Sequence, residues 1–242
     1  MNFTRPEILE AFQYAKVAHE KSAKQLEEQF GKSLTVIDPF SKGNGDACYI
    51  IDEGERLVIA FPGSNDIVDW ILNFYKFHEV ESGMHKGIKL GLETMVDEIV
   101  ANLVDKNPDK VLITGVSRGG ALADAFLELY TAVLANAEID CITFAQPRVF
   151  TNDHYKNLLT VKSAANVRYL RVHMANDVVP KIPPSKYGYT HRGESLRLGK
   201  KLSWWKQLRS AWKARRETGE YALAGFDEHK IDVHEKHLKK LK

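Results

Sequence analysis

The sequence predicts an α/β fold, a mostly parallel central sheet flanked by helices, and three observations carry that expectation. Short apolar runs rich in Val, Ile, Tyr and Phe alternate with longer segments of helical periodicity, the pattern of strands joined by crossover helices. Residues suited to chemistry follow these runs at Ser64, Ser117, Gln146-Pro147-Arg148 and Asn176-Asp177, where open sheets gather their functional groups. The third observation is Lys110 to Gly120, which reads Lys-Val-Leu-Ile-Thr-Gly-Val-Ser-Arg-Gly-Gly. It describes a strand that turns sharply into a helix around a serine.

In chain order, apolar residues at Ile8, Phe12, Ala15, Val17, Ala18, Ala23 and Leu26 predict one long amphipathic helix from Arg5 to Phe30, with Thr4 as its N-cap and Pro6 in the tolerant first turn. Asp46 to Ile51 and Arg56 to Phe61 predict two strands joined at Asp52-Glu-Gly54, and the second ends in the turn Phe61-Pro-Gly-Ser64. Helices are expected over Gly87 to Val104, Gly119 to Ala135 and Asp153 to Ser163, with strands over Val111 to Thr114, Ile139 to Phe144 and Val167 to Val172. No internal repeat interrupts the alternation.

At 242 residues, with 44% hydrophobic residues and no Pro/Gly/Ser-rich linker, a single domain over 1–242 with an ample core is expected. The two cysteines, Cys48 and Cys141, both lie in strand-like runs and read as buried thiols. The N-terminus lacks the basic start and apolar stretch of a signal peptide, and no apolar run is long enough to span a bilayer, so a cytoplasmic location is the default expectation. Neither a metal-ligand spacing nor a phosphate-cradling glycine loop is evident, so no cofactor and no metal site is expected.

The chemistry starts from Ser117. In Gly115-Val-Ser-Arg-Gly119 a Cβ at either glycine would crowd the turn that presents Oγ at the sheet edge. A serine hydroxyl needs a histidine to take its proton and a carboxylate to hold that histidine. Asp177, just past the strand ending at Met174, is the candidate acid, although aspartates in turns are common for local reasons. In α/β-hydrolases the base follows the acid along the chain. The histidines found there are His191, His229, His234 and His237. His191 comes soon after the acid and suits a structural or rim position, while periodicity cannot choose among the other three. For the oxyanion, the backbone N–H of Arg118 follows the nucleophile, and the Phe61-Pro-Gly-Ser64 turn is the source for a second donor at Ser64.

These segments together resemble the class 3, fungal-lipase-like branch of the α/β-hydrolases, over roughly Asp46 to His237. Phe61-Pro-Gly-Ser64 is similar to the family's oxyanion turn, Asp69-Trp70 to its following Asp/Asn-Trp, and Met84-His-Lys-Gly87 to its Val-His-x-Gly. Gly115 to Gly120 matches its elbow, Thr143-Phe-Ala-Gln-Pro-Arg-Val149 its Thr-Phe-Gly-x-Pro-Arg-Val, and Asn176 to Pro184 with Gly188-Tyr-Thr-His191 its acid loop. The resemblance implies an esterase or lipase acting on carboxylic esters, acylglycerols or related lipids, with Ser117 as nucleophile, Asp177 as acid, and Ser64 and Arg118 as oxyanion donors. The family's base stands in Asp-His-x-x-Tyr, which Val233-His-Glu-Lys-His237 matches at the histidine and its spacing only. That favours His234, with His229 the alternative. Pro62 replaces a common arginine, and residues 65–77 correspond to the family's lid, or to a helix packed on the core.

Between Ser195 and Arg216 stand eight Lys or Arg and no acid, interleaved with leucines and Trp204, Trp205 and Trp212, against a net charge of only +2 for the chain. A basic helix with a Trp/Leu face suits an anionic lipid surface. Packing on the domain is the equal alternative, and no nucleic-acid motif is present. A second class of function follows from it: a catalytically silent hydrolase fold that binds a membrane or partner through residues 195–216.

Overall fold

The computed structural model describes residues 3–38, 46–64, 80–134, 136–157, 166–218 and 226–241. Its main sheet contains β1 (Leu34–Ile37), β2 (Cys48–Asp52), β3 (Leu57–Phe61), β6 (Lys110–Val116), β7 (Glu138–Phe144), β9 (Val167–Met174) and β11 (Glu194–Leu198) in the order β1-β2-β3-β6-β7-β9-β11. From β3 to β11 the pairing is parallel, and β1, β2 and β3 pair antiparallel. A small antiparallel sheet of β4 (Val80–Glu81), β5 (Met84–His85), β8 (Phe150–Thr151) and β10 (Tyr189–Thr190) lies outside this order. The helices are α1 (Arg5–Glu20), α2 (Ala23–Phe30), α3 (Lys86–Glu93), α4 (Val96–Lys106), α5 (Arg118–Tyr130), α6 (Asn152–Asn157), α7 (Trp204–Thr218) and α8 (Ile231–Leu238).

The central strands β3, β6 and β7 are largely buried on both faces, which is why they read as near-continuous apolar runs. One face packs Ile50, Leu57, Ile59, Phe61 and Ile113 against Ile88, Ile99 and Phe126 of the helices. The other packs Ile51, Val58, Leu112, Ile142, Phe144 and Val172 beneath Ile8 and Phe12 of α1, with the Phe12 and Phe144 rings edge to face at 5.1 Å. Gly54, at φ 84°, closes the β2–β3 hairpin and gives its N–H to Asp52 Oδ1 at 2.8 Å.

The structure corrects several boundaries. The helix expected over Arg5 to Phe30 is two helices, because Ser22 starts a new one: the Gln25 side chain takes the Ser22 N–H at 2.9 Å while Ser22 Oγ faces the Gln25 N–H. The one expected over Gly87 to Val104 also divides at Thr94-Met95, where Thr94 Oγ1 turns back onto the Gly91 carbonyl at 2.8 Å. In the basic segment the helix expected from near Ser203 is present as Trp204–Thr218, while residues 194–198 before it form the edge strand β11. The end of the helix expected over Asp153 to Ser163 and the lid expected over 65–77 lie outside the described residues.

Candidate active site

β6 delivers Ser117 at φ 57° and ψ −122°, a conformation that is strained for any side-chain-bearing residue. The strain is held by packing: the Ser117 N–H donates to the Phe144 carbonyl at 2.8 Å. A Cβ on Gly115 would stand 2.4 Å from the Gly119 carbonyl oxygen, and one on Gly119 only 2.1 Å from that of Phe61 and 2.4 Å from that of Pro62. These distances bring β6, the start of α5 and the Phe61-Pro62 turn into backbone contact. Ser64, two residues along that turn, is half-buried.

Arg118 opens α5, and its guanidinium forms a two-pronged ion pair with Asp46, with a further bond to the Gly87 carbonyl at 3.2 Å. The pair is largely shielded, with 16% and 11% of the two side chains exposed. Gly91 makes room for it, since a Cβ there would lie 2.0 Å from Asp46 Oδ2. The residue that follows Ser117 is thus anchored through its own side chain.

Asp177 follows β9, is 1% exposed, and takes the Val179 N–H on Oδ1 at 2.9 Å. Its Oδ2 lies 2.9 Å from Nδ1 of His229, itself 4% exposed in the turn Phe226–His229. A carboxylate accepts, so Nδ1 carries the proton and Nε2 is the basic nitrogen. The neighbours of both residues pair as well: Glu228 takes the Asn176 N–H at 2.9 Å and its side-chain amide at 2.8 Å. Asn176 Oδ1 also accepts the Leu202 N–H at 2.8 Å, and its amide reaches the Lys200 carbonyl at 3.1 Å. Asn176-Asp177 and Glu228-His229 therefore meet as two consecutive contacts. Sequence reasoning singled out Asn176 beside Asp177 but missed its partner Glu228. The signal for it was the matching order of an amide-acid pair and an acid-histidine pair.

The geometry does not support the expectation that His234 partners the acid. His234 is buried on α8, and its Nδ1 points along the helix at the Lys230 carbonyl, 3.2 Å away, so that nitrogen serves its own backbone rather than Asp177. Burial lowers its pKa to about 4, although the Asp177 charge pulls the other way. His237 likewise faces the Val233 carbonyl at 3.0 Å. His191 sits 2.8 Å from the Pro180 carbonyl, with its pKa lowered to about 3 chiefly by burial, a structural tie on the acid loop.

The remaining sequence blocks support this core. Gln146 donates to Asp124 at 2.7 Å and accepts from Thr143 at 2.5 Å and Tyr169 at 2.8 Å, and Arg192 joins Asp124 at 3.0 Å. Arg148 reaches the carbonyls of Lys181 and of Pro183, the latter at 2.8 Å, and so clamps the acid loop. On α7, Trp205 and Trp212 are 68% and 60% exposed, beside exposed Lys206, Arg209, Lys213, Arg215 and Arg216.

The model of the family "Lipase (class 3)" matches residues 58–187, more than half of the chain. The chain belongs to the class 3 lipases. A lipase from Rhizomucor miehei is 32% identical over 155 residues, 59% of this chain and 42% of that one. A secreted mono- and diacylglycerol lipase from Fusarium solani is 30% identical over 162 residues, 61% of this chain and 46% of that one. The chain spans less than half the length of these relatives. The solved Rhizomucor miehei triacylglyceride lipase superposes with a TM-score of 0.63 at 24% identity, over 82% of each chain, which places the fold among the α/β-hydrolases. The class 3 lipase match includes Ser64, Ser117, Arg118 and Asp177 but ends before His229. Among the described residues no helix is long and apolar enough to cross a membrane.

Proposed function

We propose that this chain is a serine ester hydrolase of the lipase type, cleaving carboxylic esters, acylglycerols foremost, with Ser117 as nucleophile, His229 as base and Asp177 as acid. The observation that carries the assignment of the base is the 2.9 Å pairing of His229 Nδ1 with Asp177, doubled by the Asn176–Glu228 clasp. His229 Nε2 takes the proton as Ser117 Oγ bonds to the ester carbonyl carbon, and the backbone N–H groups of Arg118 and Ser64 stabilise the oxyanion. The tetrahedral adduct then expels the alcohol, which leaves with the proton from His229. Water, deprotonated by the same nitrogen, releases the acid and restores Ser117. Hydrolysis of short p-nitrophenyl esters tests this: Ser117→Ala should lose on the order of 10⁴- to 10⁶-fold in kcat, and retention of activity would sink the assignment.

A second reading accompanies the first. Exposed Trp205 and Trp212 on a basic helix favour docking on an anionic lipid surface, where each nearby basic residue adds about 1 kcal/mol. Cosedimentation with phosphatidylserine vesicles should fall for Trp205→Ser/Trp212→Ser; equal binding by the variant rejects the docking role. The cytoplasmic default meets a relative named as secreted, and activity recovered from the culture medium of intact host cells would overturn it.

A further inference from the structure

α1 runs along β6 toward the sheet edge that presents Ser117. Thr114 Oγ1 of that strand reaches the Ala11 carbonyl of the helix at 3.2 Å, and His19 lies eight residues further on, about 12 Å along the axis. The last turn of α1 therefore delivers the His19 ring to the oxyanion turn. A methyl built on Gly63 would stand 3.0 Å from His19 Nδ1, 3.2 Å from its Cε1 and 3.2 Å from the Val116 carbonyl oxygen. Ring, turn and the last residue of β6 thus converge one residue before Ser64 and one residue before Ser117 along the chain.

The ring is an unusual filler for that place. Its Nδ1 is buried without a hydrogen-bond partner among the described residues, and the polar group next to the ring is the Gly63 backbone. Burial lowers its pKa, with the Gly63 backbone and Glu20 acting in the opposite sense and the charge of His229 lowering it further. Charges on His19 and His229 thus oppose each other, and the ring touches the oxyanion turn.

We propose that His19 is a positioning residue: its imidazole, packed on Gly63 beside the Val116 carbonyl, fixes where the Ser64 donor stands relative to Ser117. It touches neither proton-transfer step, and it rests on the assignment of Ser117 and His229 made above. Glycine at position 63 follows from the same contact, because any side chain there would push the ring or the turn aside. A charge on His19 opposes the charge that His229 gains in the proposed reaction, so the ring serves while neutral. The charged or titratable groups acting on it are Glu20 on its own helix and His229 from the turn before α8.

The test measures kcat, KM and fluorophosphonate labelling rates for wild type, His19→Ala, His19→Phe, Gly63→Ala and the His19→Ala/Gly63→Ala double variant. His19→Ala should lower kcat about 10- to 100-fold, below the roughly 10²- to 10³-fold cost of losing an oxyanion donor outright, with KM little changed. His19→Phe, which restores the ring without a titrating nitrogen, should recover most of kcat near pH 8. It should also hold its kcat/KM further into acid than wild type. Gly63→Ala should be damaging alone but add little to His19→Ala, since both disturb one contact. A wild-type kcat in His19→Ala, additive losses in the double variant, or an acid limb in His19→Phe identical to wild type would each overturn the role. If wild type itself takes no label at Ser117, it is the hydrolase assignment that has failed; if wild type is labelled and His19→Ala is labelled equally fast, only the His19 inference falls.

Discussion

Asp46→Leu removes the carboxylate that holds the Arg118 guanidinium and leaves a cation in a site where only 16% of that side chain is exposed. Breaking one partner of a shielded ion pair typically costs about 3–5 kcal/mol, whereas replacing both with apolar side chains is often neutral. For a chain of this size each kcal/mol moves Tm by roughly 2–4 °C, so Asp46→Leu or Arg118→Met alone should lower Tm by roughly 6–20 °C. The Asp46→Leu/Arg118→Met double variant should recover most of that loss. Urea unfolding of all four proteins measures the coupling directly, and the same samples report activity. Because the proposed reaction also uses the Arg118 N–H as an oxyanion donor, the double variant should regain stability without regaining full kcat. Single variants that each cost under 1 kcal/mol, or costs that simply add, would refute the anchoring argument.

Other outcomes follow from equally specific contacts. Gly119→Ala sets a methyl 2.1 Å from the Phe61 carbonyl oxygen, a backbone clash that no rotamer relieves, so the variant should fail to accumulate as soluble, labelled enzyme; a normal yield of active protein contradicts the elbow geometry. Glu228→Ala cuts both bonds to Asn176 and should lower kcat about tenfold or more, since the turn holding His229 loses its clasp; unchanged kcat would show that the Asp177 contact alone suffices. Burial holds His234 at about 4 and His191 at about 3, against about 6.5 in an unfolded chain. The unfolded state then binds more protons, so stability is full above pH about 6.5 and falls as pH drops toward 4, by on the order of 3 kcal/mol for His234. Urea midpoints at pH 7 and pH 4.5 check this, and equal midpoints contradict it.

The parallel half of the sheet was legible because strands buried on both faces are mostly apolar, as Val111 to Val116 and Ile139 to Phe144 are apart from Thr114, Asp140 and Thr143. Each of their carboxyl ends then marked a functional loop, so Ser64, Ser117 and Asp177 could be named from the chain alone. β1 and β11 were not legible: they are edge strands, half-buried or polar, and in Glu-Ser-Leu-Arg-Leu the alternation is confined to Leu196 and Leu198, too short to mark a strand. The strands of the small sheet are two residues each, too short for any periodicity. The partner of Asp177 was illegible for a different reason. Three histidines share one segment, and what selects His229 is a contact between Asn176 and Glu228, 52 positions apart. The resemblance to the family's base pattern favoured His234, yet on a helix its Nδ1 faces the carbonyl four residues back.

The pairing of Asp177 with His229 is best tested by fluorophosphonate labelling of Ser117, followed by intact mass, in wild type, His229→Ala and His234→Ala. Wild type and His234→Ala should both gain the adduct, the latter with reduced thermal stability at most, while His229→Ala should label slower by several orders of magnitude. Labelling that survives in His229→Ala and disappears in a folded His234→Ala would contradict the assignment.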